Sequence, residues 1–219
     1  MTRSDTAAAS AGREVRHETP EGATRLWLIR HGPTHCRTML GWSDLPADLS
    51  DTDALHRLAA RLPPDAPVIS SDLGRAVATA DALQGGRPRL PHDPDLREIN
   101  FGDWELRGAD EIEQLAPDHI RAFWETPGAV CAPGGESWDD LRRRVDRATD
   151  RLTQAAPGGG RDVIVVAHLG AILTQVQRAR GITAYQALGQ KIDNLSLTRL
   201  VRGPTFGGGW RAELVNLRP

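Results

Sequence analysis

The sequence predicts a single three-layer α/β/α domain with a mostly parallel central sheet and a helical insertion over the active-site edge. Three observations predict it. Short apolar runs at Leu26-Trp27-Leu28-Ile29, Val68-Ile69-Ser70-Ser71 and Val163-Ile164-Val165-Val166-Ala167 have the length and continuity of strands buried on both faces. Segments of helical periodicity lie between them, which is the alternation of a parallel sheet. Two alternating segments, Leu195–Val201 and Arg211–Leu217, close the chain across a Gly-rich turn and read as an antiparallel pair at a sheet edge.

In chain order, residues 1–23 carry Ala, Ser, Thr, Glu and Arg without an apolar stretch and are expected to be a flexible tail. The domain is expected over 24–219. After the first strand, Gly32-Pro33-Thr34 opens a loop to about Ser50. Leu55, Leu58 and Leu62 share a helical face, with Thr52 or Asp53 as N-cap and Pro63-Pro64 as the stop. The run at 68–71 leads into a helix from Leu73 to about Leu83, ended by Gly85-Gly86, so Arg75 falls in a first helical turn, where free N–H groups favour an anion. Residues 101–137 hold two weak helical patches, 109–115 and 118–124, and read as a lid-like insertion. Ser137 caps an amphipathic helix carrying Leu141, Val145, Ala148 and Leu152 on one face. Pro157-Gly158-Gly159-Gly160 is a turn, since no Gly-Lys-Ser/Thr follows it. Leu173 and Val176 share the last helical face, which stops at Gly181.

Two of these strands end in a histidine. Arg30-His31-Gly32 follows the first, and His168 follows the run 163–167. In an open α/β sheet the carboxyl ends of the strands are where ligands bind. Arg30, His31, Arg75 and His168 therefore gather on one edge, and two guanidiniums with two imidazoles are suited to an anion. His35 completes a His-x3-His spacing with His31, but Gly32 and Pro33 forbid the helix a metal pair would need, so no metal is expected. Glu98 and Glu105 lie in Leu96-Arg97-Glu98-Ile99-Asn100-Phe101-Gly102-Asp103-Trp104-Glu105, which supplies candidate proton donors. Flanking by Leu96 and Ile99 would partly bury Glu98 and raise its pKa, but local composition favours a surface pairing of Glu98 and Arg97.

Composition narrows the partners. With 219 residues, 39% of them apolar, and a formal net charge of −2, one core is expected and no nucleic-acid or membrane surface. The apolar runs fall far short of the ~20 residues that span a bilayer. Basic charge is almost wholly arginine, Lys191 being the only lysine. Cys36 and Cys131 show neither metal-ligand spacing nor a disulfide framework, which fits the cytoplasm. A monomer or homodimer is expected.

Five segments, Arg30-His31-Gly32-x-Thr34, Ser71-Asp72-Leu73-x-Arg75-Ala76, Leu96-Arg97-Glu98 with Phe101-Gly102-Asp103-Trp104-Glu105, Gly134-Gly135-Glu136-Ser137, and Val166-Ala167-His168-x-Gly170, resemble the histidine phosphatase (phosphoglycerate mutase-like) superfamily, in its order and over roughly residues 24–217. The resemblance implies a metal-independent phosphomonoester hydrolase without cofactor, acting on a small phosphorylated metabolite. His31 would be the nucleophile that becomes phosphorylated and Glu98 the general acid and base. Arg30, Arg75 and His168 would form the phosphate pocket, with Thr34 as a hydroxyl donor.

The segment around Glu98 resembles the phosphatase branch, and within it the α-ribazole phosphatases of cobalamin biosynthesis. A phosphoglycerate mutase and a non-catalytic phosphate-binding relative are the competing readings, and the second would require loss of His31, Arg75 or Glu98. Three positions depart from the family pattern. Arg37 stands where Asn is usual, either adding a third cation to the phosphate or turning to solvent. Leu106 and Leu169 replace usual glycines and are expected to reshape pocket walls while leaving the phosphate site intact.

Overall fold

A computed structural model of the chain describes residues 22–154, 160–203 and 207–219. Five strands form one sheet: β1 (Thr24–Arg30), β2 (Val68–Ser70), β3 (Asp162–Ala167), β4 (Leu197–Arg202) and β5 (Trp210–Leu217), in the order β2-β3-β1-β4-β5. β2, β3 and β1 run parallel, whereas β4 and β5 are antiparallel additions at one edge.

The apolar runs divide residue by residue between two cores, as the two-residue period of a strand requires. Leu26, Leu28, Val163, Val165 and Ala167 face one side; Trp27, Ile29, Ile164 and Val166 face the other. Helices α1 (Thr52–Ala59) and α2 (Gly74–Gln84) cover the second face through Leu55, Leu58, Ala76, Ala80 and Leu83. Helices α5 (Trp138–Gln154) and α6 (Leu169–Arg180) cover the first through Leu141, Val145, Ala171, Ile172 and Leu173. Between residues 101 and 137 lie α3 (Ala109–Leu115) and α4 (Pro117–Glu125), whose Ile112, Ile120 and Phe123 join the first core. A short α7 (Ala184–Leu188) leads back to β4.

Local signals hold at most element ends. Ser137 Oγ accepts from the Asp140 N–H at 3.1 Å and opens α5. Gly85 and Gly181 end α2 and α6 with φ of 55° and 63°, a region that costs glycine nothing. At α1 the cap is Asp51 rather than Thr52 or Asp53: Thr52 is already the first helical residue, and Asp51 Oδ1 accepts from the Ala54 N–H at 2.9 Å. That helix also ends at Ala59, before the prolines. The expected tail up to residue 21, most of the turn at 157–160 and the centre of the turn before β5 lie outside the described residues. Among the described residues no helix is long and apolar enough to cross a membrane.

Candidate active site

The sheet places the first imidazole. His31 follows β1 directly, and its N–H continues the ladder to Ala167 O at 3.1 Å. Its carbonyl accepts from Asn194 Nδ2 at 2.8 Å. Gly32 must be glycine here, because a Cβ would stand 2.6 Å from Leu49 Cδ2 and 2.9 Å from Asp48 O.

With its backbone held, the His31 ring has one sensible tautomer. Nδ1 lies 2.6 Å from Gly32 O, so it carries the proton. Nε2 keeps its lone pair and accepts from Arg75 Nε at 3.2 Å. Burial pushes the pKa of His31 down to about 3; Gly32 O opposes this, and the charges of Arg75 and Arg30 add to it. The ring is therefore a neutral imidazole with its nucleophilic nitrogen aimed at a guanidinium.

His168 follows β3, its ring centroid 5.0 Å from that of His31. Its Nε2 meets Ser71 Oγ at 2.7 Å, while Nδ1 is buried without a hydrogen bond. Burial holds its pKa well below the usual value, helped by the charges of His31, Arg75, Arg144 and Arg30.

Arg75 sits in the first turn of α2 with no exposed surface. Its Nη1 and Nη2 donate to Ser43 O at 2.9 Å and Gly41 O at 2.6 Å, which fixes the Nε edge toward His31. Arg30 donates through Nη1 to Ile192 O at 2.7 Å, and its Nε is buried without a partner. Burial lowers the pKa of both arginines, and the nearby Glu98 charge opposes it in each. Arginines, Glu98 and histidines thus share one field. Thr34 is half-buried and Arg37 is exposed, and among the described residues neither has a side-chain hydrogen bond or ion-pair partner.

Glu98 is buried, 8% exposed, and Arg97 pairs with Asp72 instead, Nε to Oδ1 at 2.7 Å. Its two oxygens accept from the Gly170 N–H at 3.0 and 3.1 Å, and Oε1 also from the Ile99 N–H at 2.9 Å. A Cβ on Gly170 would lie 2.3 Å from Oε1, so this close approach needs glycine.

The segment bearing Glu98 has little regular structure, and side chains from elsewhere hold it. Arg144 of α5 donates to the carbonyls of Asp95, Arg97 and Glu98 at 3.1, 2.7 and 2.7 Å. It is oriented by Glu136 through two bonds of 2.7 and 2.8 Å. Trp42 Nε1 donates to Glu98 O at 2.8 Å, under the Arg97 guanidinium at 4.7 Å. Glu105 serves a different purpose: its carboxylate accepts from the N–H groups of Gly41, Trp42, Ser43 and Phe101 at 2.8–3.1 Å. Burial would raise its pKa, but bonds from Ser43, Trp42 and Phe101 outweigh that and hold it low. Trp42 and Asn194 carry no signal in the sequence; Arg144 carries one, since it stands three residues after Leu141 and four before Ala148, beside the apolar face of α5.

Glu98 also lines an apolar cavity of about 60 Å³. Leu169 is one of its walls, whereas Leu106 is not: it is half-exposed and holds φ at 61°, the left-handed conformation for which glycine is the natural residue. His35, expected to stand apart from any metal pair, bonds Asp48 at 2.8 Å on the surface. Among the described residues no group of three or more His, Cys, Asp or Glu side chains is placed to hold a metal ion.

Comparison with known proteins agrees with this fold. The chain is 34% identical over 209 residues to the glucosyl-3-phosphoglycerate phosphatase of Mycolicibacterium vanbaalenii, covering 88% of this chain and 83% of that one. It is 32% identical over 162 residues to the adenosylcobalamin/alpha-ribazole phosphatase of Salmonella typhimurium, covering 70% and 78%. It is 28% identical over 197 residues to a Yersinia pestis protein named "Probable phosphoglycerate mutase GpmB", covering 86% and 91%. The solved native structure of a mycobacterial glucosyl-3-phosphoglycerate phosphatase superimposes with a TM-score of 0.76 at 29% identity, covering 90% of this chain and 100% of that one. The model of the histidine phosphatase superfamily (branch 1) matches residues 26–218, and the chain belongs to that family.

Proposed function

We propose that this phosphoric monoester hydrolase works through a phosphohistidine on His31, without a metal. The observation that carries the reading is the tautomer of His31, with Nδ1 tied to Gly32 O at 2.6 Å and Nε2 facing Arg75 at 3.2 Å. Nε2 attacks phosphorus and the bond to the ester oxygen breaks. Protonated Glu98 gives its proton to that oxygen. The Glu98 carboxylate then takes a proton from the water that attacks the phosphohistidine, which frees His31 and inorganic phosphate. Arg30, Arg75 and the buried Nδ1 edge of His168 are the groups that meet the equatorial oxygens, where charge spreads in phosphoryl transfer. The Thr34 hydroxyl adds a donor.

The substrate is a small phosphorylated metabolite, and α-ribazole 5′-phosphate is our first choice, supported by the likeness to the Salmonella typhimurium phosphatase and by the segment around Glu98. Cobalamin biosynthesis in the cytoplasm is the corresponding setting. The GpmB-named relative favours a mutase as second reading; priming of activity by 2,3-bisphosphoglycerate would establish that reading instead.

Rapidly quenched reactions with p-nitrophenyl phosphate test the chemistry. Wild type should accumulate acid-labile phosphohistidine in EDTA, and His31→Ala should form none. Glu98→Gln should keep the burst with this good leaving group and lose it with an alkyl phosphate, whose alkoxide needs a proton. Phosphoenzyme in His31→Ala, or a requirement for a divalent ion, would overturn the mechanism.

A further inference from the structure

Arg75 and Glu98 come from different parts of the chain, and one short segment touches both. Residues 41–44 lie in the loop after β1. Gly41 O and Ser43 O accept from Arg75 Nη2 and Nη1 at 2.6 and 2.9 Å. Asp44 Oδ2 accepts from the Gly74 N–H at 2.9 Å, at the start of the helix that carries Arg75. On the other side the Trp42 indole donates to Glu98 O at 2.8 Å. Gly41 is pressed against the acid segment, since a Cβ there would stand 2.1 Å from Ile99 O, and the Ile99 N–H is one of the donors to Glu98 Oε1. The position of this loop therefore sets where the Arg75 guanidinium lies relative to the segment that bears Glu98.

What fixes the loop is Glu105. Its Oε2 accepts from the N–H groups of Gly41 and Ser43, both at 3.1 Å, and its Oε1 from those of Trp42 at 2.8 Å and Phe101 at 3.1 Å. Three successive N–H groups converging on one carboxylate form an anion-binding concavity, and the fourth ties that carboxylate to the segment of Glu98. A glutamine cannot replace it, because its amide nitrogen, put in place of either oxygen, would face two N–H donors. We propose that Glu105 is a positioning residue that, through residues 41–44, holds Arg75 and Glu98 in register, so that phosphate binding and proton donation are set together. The proposal rests on the phosphohistidine reading, which gives Arg75 and Glu98 those roles.

The two ends have separate readouts. Inhibition by orthovanadate, a mimic of five-coordinate phosphorus, reads the placement of Arg75. The ratio of the phosphorylation bursts from benzyl phosphate and p-nitrophenyl phosphate reads Glu98, since only the benzyl alkoxide needs a proton. Glu105→Gln should weaken vanadate inhibition tenfold or more and lower the benzyl-to-nitrophenyl burst ratio threefold or more. Removing a negative charge that Arg75 feels would by itself tighten the binding of an anion, so weaker inhibition reads geometry and not charge. If Glu105→Gln does not fold, the same two readings on Glu105→Asp decide, because that variant keeps the charge but stands one methylene short of the N–H groups. A folded variant with both readings as in wild type, whatever its melting temperature, overturns the proposal and leaves the mechanism standing. So does a change in one reading alone; loss of the benzyl burst with vanadate inhibition intact would make Glu105 a proton donor instead. Failure of wild type to form phosphoenzyme overturns the mechanism, and this proposal with it.

Discussion

Replacing Arg144 with methionine keeps most of the side chain's length and apolar stem but removes the clamp on the acid segment. Arg144 is 6% exposed and loses three carbonyl partners in this change, at Asp95, Arg97 and Glu98. It also leaves Glu136, 18% exposed in its side chain, without its cation. Breaking a buried pair from one side costs roughly 3–5 kcal/mol, because the remaining charge stays buried. At about 2–4 °C per kcal/mol for a domain of this size, the melting temperature should fall by roughly 6–20 °C. Adding Glu136→Gln should recover part of the loss, since the stranded charge is then gone. Activity supplies the second readout. Arg144 touches no substrate and acts through the placement of Glu98, so the phosphorylation burst should drop more for benzyl phosphate than for p-nitrophenyl phosphate. A stability loss under about 1 kcal/mol, the value of an ordinary hydrogen bond, would refute the clamp. Equal losses with both substrates would refute its link to proton donation.

Two further changes test the electrostatics and a strained turn. His31 and His168 have native pKa values below the unfolded value of 6.5, so below that pH the unfolded chain binds more protons than the native one. Their contribution to stability is complete above 6.5 and is lost as pH falls below it, for His31 down to about 3, at about 1.4 kcal/mol per pH unit for each histidine that stays neutral in the native state. Urea midpoints between pH 6.5 and 4.5 should therefore decline less steeply in His31→Gln than in wild type, and an unchanged slope would refute burial of a neutral ring. Leu106 holds a left-handed backbone, which costs an L-residue roughly 1–2 kcal/mol, against about 0.5–1 kcal/mol of added entropy loss for glycine. Leu106→Gly should thus raise the melting temperature by a few degrees and Leu106→Ala should not; a fall with glycine would remove the strain argument.

The two halves of the site differ in what holds them, and that decides how much of each the sequence could reveal. The imidazoles are delivered by strands. Once Leu26–Ile29 and Val163–Ala167 are recognised as buried parallel strands, His31 and His168 must emerge on one edge, and Arg75 follows from the helix that leaves β2. Each step is a local pattern with a fixed period. Glu98 has no such carrier. Local composition favours a surface pair with Arg97 over a buried acid, and the structure buries it. What settles it is Arg144 from α5, Trp42 from the loop after β1 and the Gly170 N–H at the start of α6, none of which is near it in sequence. Arg144 stands at helical spacing beside Leu141 and Ala148, but the carbonyls that it reaches are set by tertiary packing alone. The cavity walls are still more dispersed, spread over residues 99–101, 123–127, 138, 169–173 and 188. The same division has a functional consequence. On the proposed mechanism, a phosphate cluster fixed by strand ends and a helix N-terminus is tied to the sheet itself. A proton donor fixed by side chains from remote helices can be retuned by changes that leave the phosphate cluster alone. Under the proposed mechanism, substitutions on α5 and α6 that move Glu98 are therefore where this chain can retune its proton donor while keeping its nucleophile.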